Sequence, residues 1–129
     1  MEYLLLIYAD ESALAETATP AQIERHASAF GAYVRELMDR GVLRAGAPLQ
    51  PSSVSTTVKV RDGKTLTTDG PFMETKEALV GYYQLECKDL DEALELAAKI
   101  PAAQMGSIEV RPVWHEMVEL VGKFAGAPH

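Results

Sequence analysis

The ionisable side chains best placed for chemistry lie in one short run, Glu74-Thr75-Lys76-Glu77, just ahead of an apolar segment and just after the turn Thr68-Asp69-Gly70-Pro71-Phe72-Met73. In an extended chain Glu74 and Lys76 share one face, and Thr75 and Glu77 the other. A carboxylate held beside an ammonium can take a proton, and the ammonium can hold a substrate oxyanion. The candidate catalytic residues are therefore Asp69, Glu74, Lys76 and Glu77. A structural account stands beside this one. Asp69 accepts from the amides of its own turn, Gly70 provides the required dihedral, Pro71 stiffens the loop and Phe72 anchors it on the core. The four residues after Met73 then form a solvated approach to a strand.

Other groups extend the list. His26 flanks the apolar stripe of a helix, and as an imidazole it is a further acid–base candidate. His115 and His129 belong to the tail and carry less weight. Tyr8 and Tyr82, on central strands, are expected to line a cavity together with Asp10 and Phe72, the cavity lying between sheet, first helix and the 69–77 loop. As plain core tyrosines Tyr8, Tyr82 and Tyr83 would instead need a partner for each hydroxyl. Asp10-Glu11 follows the first strand either as solvated turn residues or as acids at that cavity. Cys87 reads as a small buried side chain. One cysteine, no HxH or HExxH and no paired His–carboxylate spacing argue against a metal site, and no cofactor is expected.

These residues need a frame, and the pattern supplies one. Residues 3–9 are apolar at every position, as in a strand covered on both faces. Thr19, Pro20 and Gln22 form a capping-box start to a helix over 20–40, with Ile23, Ala27, Phe30, Val34, Leu37 and Met38 as its apolar stripe and Gly41 closing it. The stretch 41–51 is punctuated by Gly and Pro around one short strand. From Val54 the period is two, with Val54, Thr56, Val58 and Val60 on one side, and Asp62-Gly63 signals a hairpin. Residues 78–86 read as a second central strand. Asp89 and Glu92 open a second helix carrying Leu90, Ala93, Leu94 and Ala97, which Pro101 stops. Residues 107–113 form a last strand, in which Pro112 marks an edge or a strand end. Met117, Leu120, Val121 and Phe124 suit a short amphipathic helix in the tail.

This order predicts an α+β ferredoxin-like sandwich, with two helices on one face of a mainly antiparallel sheet. The domain is expected over 1–116 and the tail over 117–129. The strands at 3–9 and 78–86 are apolar on both faces, yet the helices cover only one. A second copy is the simplest cover, so a homodimer with sheets face to face is expected. At 129 residues, 47% apolar, the chain can fold as one domain without staples. A net charge of −7 and scattered Lys and Arg disfavour direct nucleic-acid binding and anionic membranes. The lone cysteine fits a cytoplasmic setting, and the apolar N-terminal run is too short for a signal peptide or a span.

Asp69-Gly70-Pro71-Phe72-Met73-Glu74-Thr75-Lys76-Glu77 resembles the DGPF signature of the YCII-related proteins, whose usual form has Ala at the position of Met73. Tyr3-Leu4-Leu5-Leu6-Ile7-Tyr8, Leu49-Gln50-Pro51, Gly81-Tyr82-Tyr83, Asp89-Leu90-Asp91-Glu92-Ala93 and Val110-Arg111-Pro112-Val113 agree in order and spacing, so the likeness runs over residues 2–113. The resemblance implies a ferredoxin-like protomer in a dimeric α+β barrel. It brings no defined activity, because the family is largely uncharacterised. Its genes often neighbour, or are fused to, extracytoplasmic-function sigma factors, which implies a sigma factor as a partner in transcription initiation. Some relatives outside the DGPF branch pair a helix-1 histidine with an aspartate. Here His26 sits about one turn too early, and Ile100-Pro101 stands where those relatives carry Asp-Pro. The residues thus support two readings, small-molecule binding with or without acid–base catalysis, and indirect service to transcription through a sigma factor.

Overall fold

The computed structural model describes residues 1–12 and 18–126; His129 lies outside them. The elements are β1 (Glu2–Ala9), α1 (Pro20–Asp39), β2 (Leu43–Pro48), β3 (Thr56–Arg61), β4 (Lys64–Asp69), β5 (Ala78–Glu86), α2 (Leu90–Ala98), β6 (Ser107–Pro112) and α3 (His115–Ala125). Short 3₁₀ turns occupy Ser52–Val54 and Pro101–Gln104.

Four strands pair antiparallel in the order β2-β5-β1-β6. With α1 and α2 this matches the β-α-β-β-α-β order of a ferredoxin-like α+β sandwich. The strands that read as central are central, and β6 with its Pro112 is an edge. The hairpin β3–β4 is not part of that sheet. It forms a separate two-stranded ribbon inserted between β2 and β5. Its turn is the one the dipeptide demands, since Asp62 (φ 52°) and Gly63 (φ 74°) both adopt the left-handed conformation of a two-residue hairpin loop.

Strand alternation divides the sheet into two faces. Tyr3, Leu5, Ile7 and Ala9 of β1, with Tyr83 and Leu85 of β5, are buried beneath the helices. Tyr33 and Leu37 of α1 and Ala93, Leu96 and Ala97 of α2 meet them there, and Phe30, Val34, Ile108 and Val110 complete the layer. Burying each large aliphatic side chain contributes about 1.5–3 kcal/mol. The other face carries Leu4, Leu6 and Tyr8 beside Tyr82 and Gln84, all half-buried.

The helix starts are as the sequence reads. Thr19 accepts from the Gln22 amide (3.2 Å) while Gln22 Oε1 accepts from the Thr19 amide (2.9 Å). Asp89 accepts from the Glu92 amide (2.9 Å), and Gly41 (φ 70°) turns the chain out of α1. The buried stripes differ from those expected. On α1 Ile23 and Met38 are exposed, as is Ala27, and the aromatic Tyr33 is buried instead. A helix of this length spans about 30 Å, and its first turns overhang the sheet, leaving 20–29 in solvent. On α2 Leu90 and Leu94 face outward and Leu96 takes the core position. Small Ala93 and Ala97 let the helix sit close to the sheet, with Leu96 filling the space beside them. No residue of α3 is buried.

Two glycines make opposite predictions. A Cβ on Gly106 would collide with the Tyr8 carbonyl oxygen where β6 begins, so Gly106→Ala is expected to destabilise by about 1–3 kcal/mol in urea unfolding. Gly31 lies inside α1 with open space around it, and Gly31→Ala is expected to stabilise by about 0.5–1 kcal/mol in the same assay.

Candidate functional site

The 69–77 segment hangs between the end of the ribbon and the start of β5. Asp69 ends β4 opposite Thr56 and is exposed. Among the described residues nothing donates a hydrogen bond to its carboxylate, so it does not hold the turn as expected. Gly70 does so instead. At φ 99° its amide donates to Ser55 O (2.7 Å), and its carbonyl accepts from Thr57 Oγ1 (2.9 Å). Phe72 does not anchor on the core; it is 71% exposed, with the Lys59 ammonium 5.4 Å above its ring. The reason is the detached ribbon, which leaves no packed layer beneath the ring.

Bends at 72–73 and 76–77 interrupt the segment, and β5 begins only at Ala78, so no strand runs through 74–77. The shared-face argument for Glu74 and Lys76 therefore lapses, because alternation needs an extended backbone. Glu74, Thr75 and Lys76 are exposed. Glu77 is half-buried and differs from its neighbours in being tied to the sheet. Its Oε1 accepts from Ser107 Oγ at 2.9 Å, and its carbonyl accepts from Thr75 Oγ1. Ser107 is the cross-strand partner of Tyr8, and Leu6 pairs with Tyr82. The structure thus brings Glu77, Ser107 and Tyr8 to one end of the face that α1 and α2 leave uncovered, with Tyr82 on the same face at the middle of β5. Ser107 drew no attention in the sequence; its only signal is a hydroxyl at the first position of an edge strand.

Asp10 follows β1 and accepts from the Ser12 amide (3.1 Å) and hydroxyl (2.6 Å). Glu11 has a structural task. Its carboxylate accepts from the Ser52 amide (2.7 Å) and from the Ser52 hydroxyl, tying the end of β1 to the root of the inserted ribbon. His26 stands on the exposed part of α1 with its ring 4.8 Å from Phe30. It belongs to the helix layer, on the far side of the sheet from Tyr8 and Tyr82. Cys87 is 1% exposed, and burial pushes its thiol pKa up, so it stays protonated and inert.

Two concavities stand out, and both lie in the helix layer. One, about 620 Å³, is lined by Val34, Met38, Leu43, Arg44, Gly46 and Tyr83. The other, about 350 Å³, is lined by Tyr33, Glu36, Lys99, Ile100, Pro101 and Gln104. Neither includes Tyr8, Asp10, Phe72, Tyr82 or the 69–77 residues, so the expected pocket between sheet, first helix and loop is not one of them. The second borders an ion network between α1 and α2. Glu36 meets Arg40 and Lys99 (2.9 Å each), and Glu95 meets Arg40 (3.2 Å). The hydrogen bond from Lys99, then its charge and that of Arg40, hold the Glu36 carboxyl below its ordinary value. Among the described residues no group of three or more His, Cys, Asp or Glu is placed to hold a metal ion. No helix among them is long and apolar enough to cross a membrane.

Beneath that network Tyr33 donates its buried hydroxyl to Leu96 O (2.8 Å) and meets the Tyr83 ring edge-on at 5.3 Å. Burial first, then the neighbouring Tyr83, pushes the Tyr33 pKa well above that of a free tyrosine. The unfolded chain ionises Tyr33 near pH 10, whereas the folded chain resists. The contribution is therefore whole below about pH 10 and is lost as pH rises beyond it. Tyr33→Phe is expected to cost about 1 kcal/mol at neutral pH, by leaving the Leu96 carbonyl unpaired. It should also flatten the alkaline fall in stability, measured by urea unfolding across pH 8–11. An unchanged alkaline slope would assign that fall to other groups.

Comparison with known proteins comes to the same chain from outside. The model of the YCII-related domain matches residues 1–117. A protein of Rhizobium meliloti (strain 1021), itself named only as uncharacterized, is 38% identical over 115 residues, covering 88% of this chain and 92% of that protein.

Proposed function

The chain belongs to the YCII-related family, and from that premise we propose that it acts as a two-fold dimer binding a small molecule beside Glu77, at the margin of its uncovered sheet face. The observation that carries this is the layout of that face. Leu4, Leu6, Tyr8 and Tyr82 form an apolar and aromatic patch that ends on the Glu77–Ser107 hydrogen bond. A small-molecule site needs this combination of apolar wall and few convergent polar groups. In it Glu77 serves as the acceptor or base, Ser107 orients its carboxylate, and the Tyr8 hydroxyl offers a donor. As the DGPF-type signature leads directly into Glu77, its stiff turn serves to deliver that carboxylate to the end of β5.

Exposed area supports the dimer. A compact 14.1 kDa chain exposes about 6,700 Å², whereas this one exposes 9289 Å². The excess is roughly 2,500 Å², comparable with the roughly 1,000–2,500 Å² that each partner gives to an obligate homodimer. Pairing two such faces turns an open patch into a lined, water-poor cavity in which the Glu77 carboxylate counts for more.

Size-exclusion chromatography with light scattering is expected to give twice the chain mass, and Leu6→Lys to give the single mass. Thermal-shift screening of the dimer against small metabolites is expected to find a stabiliser whose effect Glu77→Gln removes. A monodisperse monomer would overturn the dimer. A stabiliser that acts equally on wild type and Glu77→Gln would overturn the assignment of the site.

A further inference from the structure

The ribbon β3–β4 is poorly supported by its own protomer. All six residues of β4 are exposed, as are all of β3 except Thr57. Its base is held by the Gly70–Ser55 and Thr57–Gly70 hydrogen bonds and by the Glu11 grip on Ser52. Beyond that base, among the described residues, no hydrogen bond joins residues 58–68 to the rest of the chain, Lys59 lies over the exposed Phe72 ring, and a two-stranded ribbon with so little support is marginal in water. Its two faces are nonetheless sharply different. Register places Thr56, Val58 and Val60 across from Asp69, Thr67 and Thr65, so that face is β-branched and uncharged up to Asp69 at its root. The opposite face carries Lys59, Arg61 and Lys64 with Leu66. Val58 and Val60 are 61% and 60% exposed, values that suit a surface awaiting cover.

Resting on the dimer reading above, we propose that this ribbon is an arm that lies along the second subunit, its Val58–Val60–Thr65–Thr67 face against the partner. Charge is compatible with a copy of the same chain as the occupant. Three of the twelve cations and two of the nineteen acids fall on the arm, which leaves nine cations against seventeen acids on the body. Two bodies of net −8 repel, and an arm of net +1 laid along the partner offsets a little of that repulsion, with Lys59, Arg61 and Lys64 on its outer face left in solvent. Area agrees, because the arm supplies part of the surface that this chain exposes beyond a compact monomer. The arm also leads through Gly70 into the 69–77 segment, so each subunit's grip on its partner sets the position of its own Glu77. Dimerisation and completion of the site are then one event.

Hydrogen–deuterium exchange of the 56–69 peptides, followed across protein concentrations that light scattering shows to be dimeric and monomeric, tests this. Amide exchange in the arm is expected to speed up by about tenfold or more in the monomer, while the β1 and β5 peptides change less. The double variant Val58→Lys with Val60→Lys alters positions that are exposed in the protomer. It should keep the wild-type circular dichroism yet raise the dimer dissociation constant by about tenfold or more. If the dimer forms but arm exchange is the same in both states, or the double variant dimerises as wild type does, the arm proposal falls and the dimer stands. If no dimer forms at any concentration, both fall.

Discussion

The ladder between β1 and β5 sets two surfaces at once. Each residue step reverses the side chain, so seating Leu5 against Tyr83 and Tyr3 against Leu85 under the helices obliges Leu4, Leu6 and Tyr82 to face the other way. A slip of one residue would exchange the two sets and expose the core, which is why the register is firm. The core therefore cannot be closed on one side without presenting an apolar patch on the other. Helices α1 and α2, their capping residues and the ion network between them all serve the first side. Whatever the protein does with the second side begins from that constraint.

The insertion between β2 and β5 governs where chemistry is available. A tight turn would have sufficed to join two neighbouring antiparallel strands. The chain instead runs out through a 3₁₀ turn and a ribbon, and comes back through the bent 70–77 segment. That detour separates charges that are neighbours in sequence. Glu74 and Lys76 stay in solvent, whereas Glu77, one residue from β5, is drawn onto the sheet by Ser107. Glu11 fastens the root of the detour to the end of β1 through Ser52, so the loop and the uncovered face are mechanically joined. In the proposed dimer this joint carries the pull of the arm to the carboxylate.

Local signals were the legible ones. The capping box at Thr19, the cap at Asp89, the hairpin at Asp62-Gly63 and the edge proline all act over four residues or fewer, and each formed as its residues dictate. The stripes on the helices were less legible, because amphipathic spacing says that a helix has an apolar side but not how far it overhangs its sheet. Ile23 and Met38 fit the period and still face water, while Tyr33 lies outside the expected stripe and is buried because Leu96 O accepts its hydroxyl. Phe72 fails for a similar reason. An aromatic after a stiff turn packs only where there is a layer to receive it.

The order of strands and helices, and hence the ferredoxin-like class, was determined by the sequence alone, since period, caps and turns are properties of adjacent residues. So was the family, through the run from Asp69 to Glu77 and its companions. The tertiary structure decided which of the four charged residues meets the sheet. It also decided that the hairpin stands apart and that Ser107 is hydrogen-bonded to Glu77. Those outcomes depend on which distant segments come to lie side by side, and spacing along a chain carries no direct record of that.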